Sequence, residues 1–144
     1  AIGKMLRSDG KKIVFTNGCF DILHLGHVDY LRRSKQLGDI LVVGINSDAS
    51  VKRLKGSARP INVDEDRALL IAAFSYVDYV VIFEDDTPIT SIELLRPNII
   101  TKGADWSVEQ VVGRELVDQV VLLPYLEGKS TTNLINKIEA KNER

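Results

Sequence analysis

The sequence has one cysteine in 144 residues, a net charge of only −1 and no long apolar run, and each shortage excludes a class of protein. A single cysteine excludes an internal disulfide and is typical of a reducing compartment, so we predict a cytoplasmic protein. The near-zero charge favours neither nucleic acid nor an anionic membrane as a partner. No apolar run approaches the ~20 residues of a membrane-spanning helix. The remaining composition is that of an ordinary globular domain.

Short apolar runs alternate with helical segments along the whole chain. Continuous apolar runs such as Ile40–Asn46 are typical of parallel strands that are covered on both faces. Five strands are predicted, at about 12–16, 40–46, 77–83, 98–103 and 119–124, with a helical stretch near 108–117 and a loop at 125–129. The alternation predicts an α/β fold, a Rossmann-like three-layer sandwich with a five-stranded, mainly parallel sheet. We expect one domain at 12–144, after a lead-in or linker at 1–11.

The stretch at 17–27 joins the first strand to the first long helix and carries the most chemistry. It contains the only histidines of the chain, His24 and His27, with Gly26 between them and Asp21 before them. A helix N-terminus presents unpaired N–H groups and partial positive charge, so it attracts phosphate. We therefore predict a phosphate-handling active site in which the imidazoles donate hydrogen bonds or positive charge to phosphoryl oxygens. Gly26 lets a ligand approach the backbone closely.

Other roles are open for these residues. The two histidines could instead have their hydrogen bonds satisfied within a turn, without contacting a ligand. A His-x-x-His pair can also supply two metal ligands, and Asp21 and Cys19 are the nearby candidates to complete such a set. Asp21 is equally compatible with a structural role, as an acceptor of hydrogen bonds within the turn.

A basic segment follows the second strand. Lys52, Arg53, Lys55 and Arg59 fall within eight positions, and we predict a polar, mobile loop over 52–60. Such a run is usually a solvated surface. Phosphate groups need cations, however, and a loop that contains a glycine could close over them.

Ser130, Thr131 and Thr132 precede the last helix and suit two roles at once. A hydroxyl side chain there caps the helix. Hydroxyls and N–H groups at a helix mouth also hold phosphate oxygens, which would make this a second phosphate site. Asn46 and Asp48, after the second strand, are candidates to meet ribose or sugar hydroxyls. The carboxyl ends of parallel strands share one edge of the sheet, where we expect these groups to gather.

The run at 18–27, Gly-Cys-Phe-Asp-Ile-Leu-His-Leu-Gly-His, resembles the signature of the cytidylyltransferase-like nucleotidyltransferases, the His-x-Gly-His superfamily. Among the branches of this superfamily, the chain most resembles the adenylyltransferases of ADP-heptose synthesis. The segments that carry this resemblance are 16–27, 46–50, 54–56, 59–60, 77–81, 84–88, 102–106 and 130–133. The match covers roughly residues 12–140.

The resemblance implies a reaction in which AMP moves from ATP to D-glycero-β-D-manno-heptose 1-phosphate. The sugar phosphate attacks the α-phosphate in line, ADP-heptose and pyrophosphate form, and Mg²⁺ accompanies the ATP. The resemblance also implies a homodimer and a link to lipopolysaccharide synthesis. Some members carry this domain behind a heptose 7-phosphate kinase, so the chain is expected to be either one half of a bifunctional protein or a free-standing enzyme. The alternatives are a cytidylyltransferase that acts on glycerol 3-phosphate or a related small phosphate, and a non-catalytic nucleotide-binding module.

The resemblance also assigns roles to individual residues. Catalysis is assigned to His24, His27 and Lys55. Contacts to the nucleotide and its phosphates are assigned to Asn17, Gly18, Cys19, Phe20, Gly26, Lys102, Gly103, Asp105, Ser130, Thr131 and Thr132. Beyond what the resemblance assigns, substrate contacts or supporting roles are expected for Asp21, Asn46, Asp48, Arg59 and Arg67, and no protein metal site is expected. Cys19 is expected to be a packed turn residue, because nucleotidyl transfer needs no protein nucleophile. Tyr125 stands where glycerol-phosphate cytidylyltransferases have an arginine, which argues against that branch.

Overall fold

The computed structural model describes residues 2–126 and 130–142, in which strands and helices alternate along the chain. The α-helices are α1 (Ile2–Ser8), α2 (Leu25–Lys35), α3 (Asp48–Lys55), α4 (Asp64–Ala72), α5 (Ile89–Leu95) and α6 (Thr131–Asn142). The strands are β1 (Ile13–Gly18), β2 (Ile40–Asn46), β3 (Tyr79–Phe83), β4 (Ile99–Gly103) and β5 (Gln119–Leu123). Two 3₁₀ helices, Val108–Gln110 and Arg114–Leu116, lie between β4 and β5. Of the helices in these residues, none has the length and apolar character that crossing a bilayer requires.

The strands form one sheet in the order β3-β2-β1-β4-β5, and every neighbouring pair is parallel. This confirms the predicted α/β fold with a five-stranded parallel sheet. Strand β1 pairs with β2 up to Gly18 and Ile45. It pairs with β4 only up to Phe15 and Ile100, so these two strands part before their carboxyl ends. The chain changes direction across the sheet at this pair, and such a switch point is where open parallel sheets bind ligands.

Side chains alternate between the two faces of the sheet, which gives the domain two apolar cores. The core beneath α2 and α4 contains Val14, Phe20, Leu31, Leu41, Val43, Ile45, Ile71 and Ile99. The core on the opposite face, beneath α1 and α5, contains Leu6, Ile13, Phe15, Val42, Ile92, Ile100 and Val111. Complete burial of one such side chain contributes roughly 1.5–3 kcal/mol. Helices on both faces of one sheet confirm the predicted three-layer arrangement.

The basic segment differs from its prediction, because α3 extends through Lys55. Ser47 caps this helix, and its Oγ accepts a hydrogen bond from the Ser50 N–H at 3.2 Å. The last turn of α3 carries three basic residues, which the helix dipole favours at that end. The loop begins only at Gly56, whose φ of +94° ends the helix. The prediction of a loop over 52–60 is therefore wrong for its first half.

Three other segments complete the comparison with the predicted elements. The segment predicted to be a lead-in or linker contains α1, whose Leu6 is buried in the second core and whose Arg7 donates a hydrogen bond to the Leu95 carbonyl. The predicted helical stretch near 108–117 is instead two 3₁₀ helices, separated by Gly113 at a φ of +86°. This left-handed conformation interrupts a continuous helix. Residues 127–129 of the predicted loop lie outside the described residues.

Candidate active site

A cavity of about 790 Å³ opens at the edge of the sheet where β1, β2, β4 and β5 end. Its volume lies within the roughly 300–1,000 Å³ of small-molecule sites. Most of the predicted site residues line it: Asn17, Gly18, Cys19, Phe20, Asp21, His24, Gly26, His27, Asn46, Lys55, Arg59, Lys102, Gly103, Asp105, Ser130 and Thr132. Asp48 and Arg67 lie behind its wall, and the side chain of Thr131 is outside what the structure describes. The edge predicted from the strand pattern is thus the edge that carries the cavity.

The two imidazoles form the N-terminal cap of α2. His24 is the N-cap residue, and its Nδ1 accepts a hydrogen bond from the Gly26 N–H at 3.0 Å. The His24 N–H donates in turn to Nδ1 of His27 at 3.3 Å. The two rings stack with their centroids 3.9 Å apart. This is a reciprocal capping box in which imidazoles replace the usual hydroxyl and carboxyl groups.

The cap determines which nitrogens remain available to a ligand. Because each Nδ1 accepts a hydrogen bond, each neutral ring carries its proton on Nε2. Burial lowers the pKa of His24, and burial together with the neighbouring His24 lowers the pKa of His27 to about 4. Both rings are therefore neutral at pH 7. Of the two predicted modes, this favours hydrogen-bond donation from Nε2 over donation of positive charge.

The turn between β1 and α2 is compact. Phe20 has a φ of +49°, and its ring centroid lies 5.2 Å from that of His27. A Cβ atom at Gly18 would come within 3.1 Å of the Phe20 ring, so the glycine makes room for it. Burial raises the pKa of the Cys19 thiol, and its Sγ lies 3.9 Å from Oδ1 of Asn46. A thiol that is held protonated is a poor nucleophile, in line with the expected packing role.

The Asp21 carboxylate is bound within the protein. It accepts hydrogen bonds from Nε of Arg59 at 3.0 Å and from the N–H groups of Ile61 and Asn62 at 2.9 Å. Burial alone would raise the pKa of Asp21, but these donors outweigh burial and lower it. Three donors leave little room for a metal ion on a side chain that is almost completely buried. Of the two roles left open for Asp21, the geometry therefore favours the structural acceptor.

Arg67 is a buried link behind the cavity wall. Its guanidinium is fully buried and donates to the carbonyls of Cys19, Asn46 and Asn62 at 2.7–2.9 Å. Its NH2 group also pairs with the Asp48 carboxylate at 2.9 Å. One side chain thus fastens the turn after β1, the end of β2 and the start of α4. Arg67 and Asp48 were each expected to contact substrate or to play a supporting role. Their positions behind the cavity wall fit the supporting role.

The end of α3 and the loop that follows it bring two of the four basic residues to the cavity. Lys55 and Arg59 line it, and Arg59 already pairs with Asp21. Arg53 instead pairs with Asp86 at 2.7 Å, on the exposed surface. Lys55 is therefore the candidate in this segment to contact leaving phosphates.

On the other side of the cavity, β4 leads into a cluster of charge and aromatic rings. Nζ of Lys102 lies 4.6 Å from the ring centroid of Trp106, and burial lowers the pKa of Lys102 to about 8. Tyr125 packs over Gly103 so closely that a Cβ atom there would lie 2.0 Å from its hydroxyl oxygen. Burial, with Asp105 nearby, raises the pKa of Tyr125 to about 12. Only a glycine at position 103 allows this packing.

The N-terminus of α6 faces the same cavity. Oγ of Ser130 accepts a hydrogen bond from the Asn133 N–H at 3.0 Å, which makes Ser130 the helix cap. Ser130 and Thr132 both line the cavity that the imidazoles line. Two helix mouths, those of α2 and α6, therefore open on one space, and helix mouths attract anions.

Comparisons with known proteins agree with this geometry. The family model described as cytidylyltransferase-like matches residues 15–137, which is most of the chain. The chain belongs to the cytidylyltransferase-like family. This result bears out the resemblance that rests on the His-x-Gly-His run.

Several known proteins are similar to this chain over most of its length. "Bifunctional protein HldE" of Campylobacter concisus is 58% identical over 134 residues, which is 92% of this chain and 28% of that protein. "Bifunctional protein HldE" of Nitratiruptor sp. is 56% identical over 96% of this chain and 30% of that protein. The chain thus spans about three tenths of the curated relatives that it matches. The crystal structure of the lipopolysaccharide core biosynthesis protein from Thermoplasma volcanium has a TM-score of 0.68 and 34% identity, over 81% of this chain and all of that one.

Several residues of the cavity wall are not among the predicted site residues. Tyr30, Asp86, Thr87 and Asn133 line the cavity without having been predicted to do so. Tyr30 carried a usable signal, because it follows His27 by three positions on the same helix and so shares its face. Asp86 and Thr87 lie in the segment 84–88 that carries the resemblance, but their approach to the cavity depends on how β3 and α5 pack.

Proposed function

We propose that this chain is the adenylyltransferase of ADP-heptose synthesis. It transfers AMP from ATP to D-glycero-β-D-manno-heptose 1-phosphate and releases pyrophosphate, as a step in lipopolysaccharide synthesis. The observation that carries the proposal is the single cavity onto which the imidazole pair and the Ser130 cap both open. The similarity to the HldE proteins and to a lipopolysaccharide core biosynthesis protein supports the choice of substrate.

The chemistry follows from the donors around the cavity. An oxygen of the sugar 1-phosphate attacks the α-phosphorus of ATP, and the bond to the β-phosphate oxygen breaks on the opposite side. Such a transfer requires positioning and stabilisation of charge, and no group on the protein needs to become covalently bound. Nε2–H donors of His24 and His27 would stabilise the charge that develops on the α-phosphoryl oxygens. The mouth of α6, with Ser130 and Lys55 nearby in the cavity, would hold the departing β- and γ-phosphates.

Mg²⁺ is proposed to enter with ATP, because the protein offers few groups to hold it alone. In the part of the chain that the structure describes, no set of three or more His, Cys, Asp or Glu side chains converges on one point. Asp21 is buried and occupied by its three donors, so Asp105 and the exposed Asp86, which pairs with Arg53 through one oxygen, are the lining carboxylates that could add an oxygen ligand. Mg²⁺ commonly keeps most of its ligands from phosphate and water, which fits this arrangement. When bound, it supplies positive charge to the leaving pyrophosphate.

The setting of the reaction is part of the same proposal. The relatives are named bifunctional and are about three times as long as this chain, so we propose that the domain works with a heptose 7-phosphate kinase, fused or separate. We also propose a homodimer in the cytoplasm, with neither nucleic acid nor membrane as a partner.

The test compares nucleotides and acceptors in one assay. The protein is incubated with Mg²⁺, inorganic pyrophosphatase, and either ATP or CTP, together with D-glycero-β-D-manno-heptose 1-phosphate or glycerol 3-phosphate. Phosphate release should be fastest with ATP and the heptose, and mass spectrometry should show ADP-heptose. Faster release with CTP and glycerol 3-phosphate would instead identify a cytidylyltransferase. ATP binding without release for any acceptor would identify a non-catalytic module.

A further inference from the structure

Four hydroxyl side chains form a connected cluster beneath the cavity. The oxygens of Thr16 and Tyr30 are 2.7 Å apart, and the Tyr30 hydroxyl oxygen lies 3.3 Å from Oγ1 of Thr101. Oγ of Ser34 lies 2.9 Å from the same Thr101 oxygen. Thr16, Ser34 and Thr101 are fully buried, while Tyr30 reaches the cavity wall. These four residues are called the hydroxyl cluster below.

The hydroxyl cluster lies where β1 and β4 part. Backbone pairing between these strands ends at Phe15 and Ile100. One residue further along each strand, Oγ1 of Thr16 donates to the Thr101 carbonyl at 3.2 Å. A side chain thus replaces the backbone ladder at the switch point, so the strands can separate without leaving that buried carbonyl unpaired.

The hydroxyl cluster also connects the imidazole pair to the opposite side of the cavity. Tyr30 and Ser34 lie one turn apart on α2, and Tyr30 lies one turn after His27, so these residues share a helix face. Through Thr101, this face is joined to β4, which continues directly into Lys102 and Gly103. Hydroxyl contacts therefore connect the helix that carries the imidazoles to β4, the strand that carries Lys102 and Gly103 on the opposite wall of the cavity (the β4 side).

We propose that the hydroxyl cluster is a positioning device that fixes the imidazole pair relative to the β4 side of the cavity, with Tyr30 as its central positioning residue. Hydrogen bonds are directional, so the cluster sets a specific placement of α2 where apolar packing alone would permit small shifts. Displacements of about 1 Å can cost in-line reactions a large factor in rate. The effect on rate rests on the proposed function, whereas the effect on the imidazoles does not.

The kinetic test removes single hydroxyls with little change in shape. Tyr30→Phe and Thr101→Val should each lower kcat about tenfold and leave KM for ATP within about threefold, because alignment suffers more than binding. Thr101→Ser retains a hydroxyl and should keep near-normal kcat. Tyr79→Phe is the matched control, because Tyr79 is a half-buried tyrosine at the start of β3, at the end of the strand away from the cavity. An equal loss in Tyr79→Phe, or no loss in Tyr30→Phe and Thr101→Val, would overturn the proposal.

A second readout needs no substrate. The chain has only two histidines, so the imidazole Cε1–H correlations in a ¹H–¹³C NMR spectrum are those of His24 and His27. Tyr30→Phe and Thr101→Val should shift these signals, and Tyr79→Phe should leave them in place. Unshifted signals in the first two variants would contradict the proposal even if their rates fell. Shifted signals in a protein that transfers no nucleotide would uphold the positioning device and refute the proposed function.

Discussion

The charged side chains on the two sides of the cavity differ in how fully other protein groups bind them. We call the wall formed by the turn after β1, the end of β2 and the start of α4 the β2 side. There, Arg67 and Asp21 are almost completely buried, and each is bound by several protein groups. On the β4 side, Lys102 lies against the Trp106 ring, and burial lowers its pKa to about 8. Asp105 nearby favours the charged form of Lys102 but does not offset its burial.

This contrast separates structural support from ligand contact. A buried charge that is surrounded by protein donors or acceptors holds the backbone in place and has little capacity left for a ligand. A lysine whose charged form is disfavoured gains most from an approaching anion, because the anion restores that form. We therefore expect substitutions on the β2 side to lower stability and substitutions on the β4 side to alter nucleotide binding.

The largest effect, a loss of stability, is expected when Arg67 is replaced. Arg67→Met leaves the Cys19 and Asn46 carbonyls and the Asp48 carboxylate without their shared donor, and should lower the free energy of unfolding by about 3–5 kcal/mol. Arg53→Met is the control, because it breaks an exposed pair with Asp86 and should cost at most about 1 kcal/mol. Urea unfolding of both variants measures the difference. Similar losses in the two would show that Arg67 does not support the turn.

The next effect concerns the imidazole pair between the two sides. His24→Asn keeps a helix-capping side chain but removes the Nε2 donor, so turnover should fall about 10²–10³-fold while stability changes by less than about 1 kcal/mol. His24→Ala should lose the cap as well and unfold more easily. Steady-state rates and thermal unfolding, measured together, separate the two roles. Normal turnover in His24→Asn would remove this ring from the mechanism.

The smallest expected effect tests the β4 side through pH. Lys102 is charged below its pKa of about 8 and neutral above it, so ATP affinity should fall a few-fold as the pH rises from about 7 to 9. A bound anion raises the lysine pKa, so the decline begins near pH 8, the pKa of the free protein, and continues until the pH exceeds the pKa of the complex. Lys102→Arg stays charged throughout and should bind ATP without this dependence. Calorimetric titration at several pH values tests this expectation, and identical profiles for both proteins would contradict it.

Local patterns in the sequence were sufficient to predict the sheet and the edge of the sheet that carries the cavity. The apolar run at Ile40–Asn46 and the His-x-Gly-His turn are both contiguous, so the strand, the turn and the following helix could be predicted without the fold. The capping role of Ser130 was likewise visible, because a hydroxyl residue stands directly before a helical pattern.

Long-range contacts were not accessible in the same way. Arg67 follows three acidic residues at the start of α4 and has the local pattern of a surface residue, yet its partners come from two distant turns. The hydroxyl cluster joins Thr16 to Thr101 across 85 positions of sequence. Local spacing in the sequence cannot predict such a contact, because the contact depends on which strands become neighbours in the sheet.

The capping box of α2 has a consequence for how the protein tolerates acid and transition metals. The lone pairs on Nδ1 of His24 and His27 already hold the first turn of the helix. A second proton on either ring, or a transition-metal cation such as Ni²⁺ that binds the same nitrogen, can bind there only by releasing that turn. Loss of activity in acid and poisoning by such cations should therefore share one structural cause, the fraying of a helix end, and both should reverse when the lone pairs are freed.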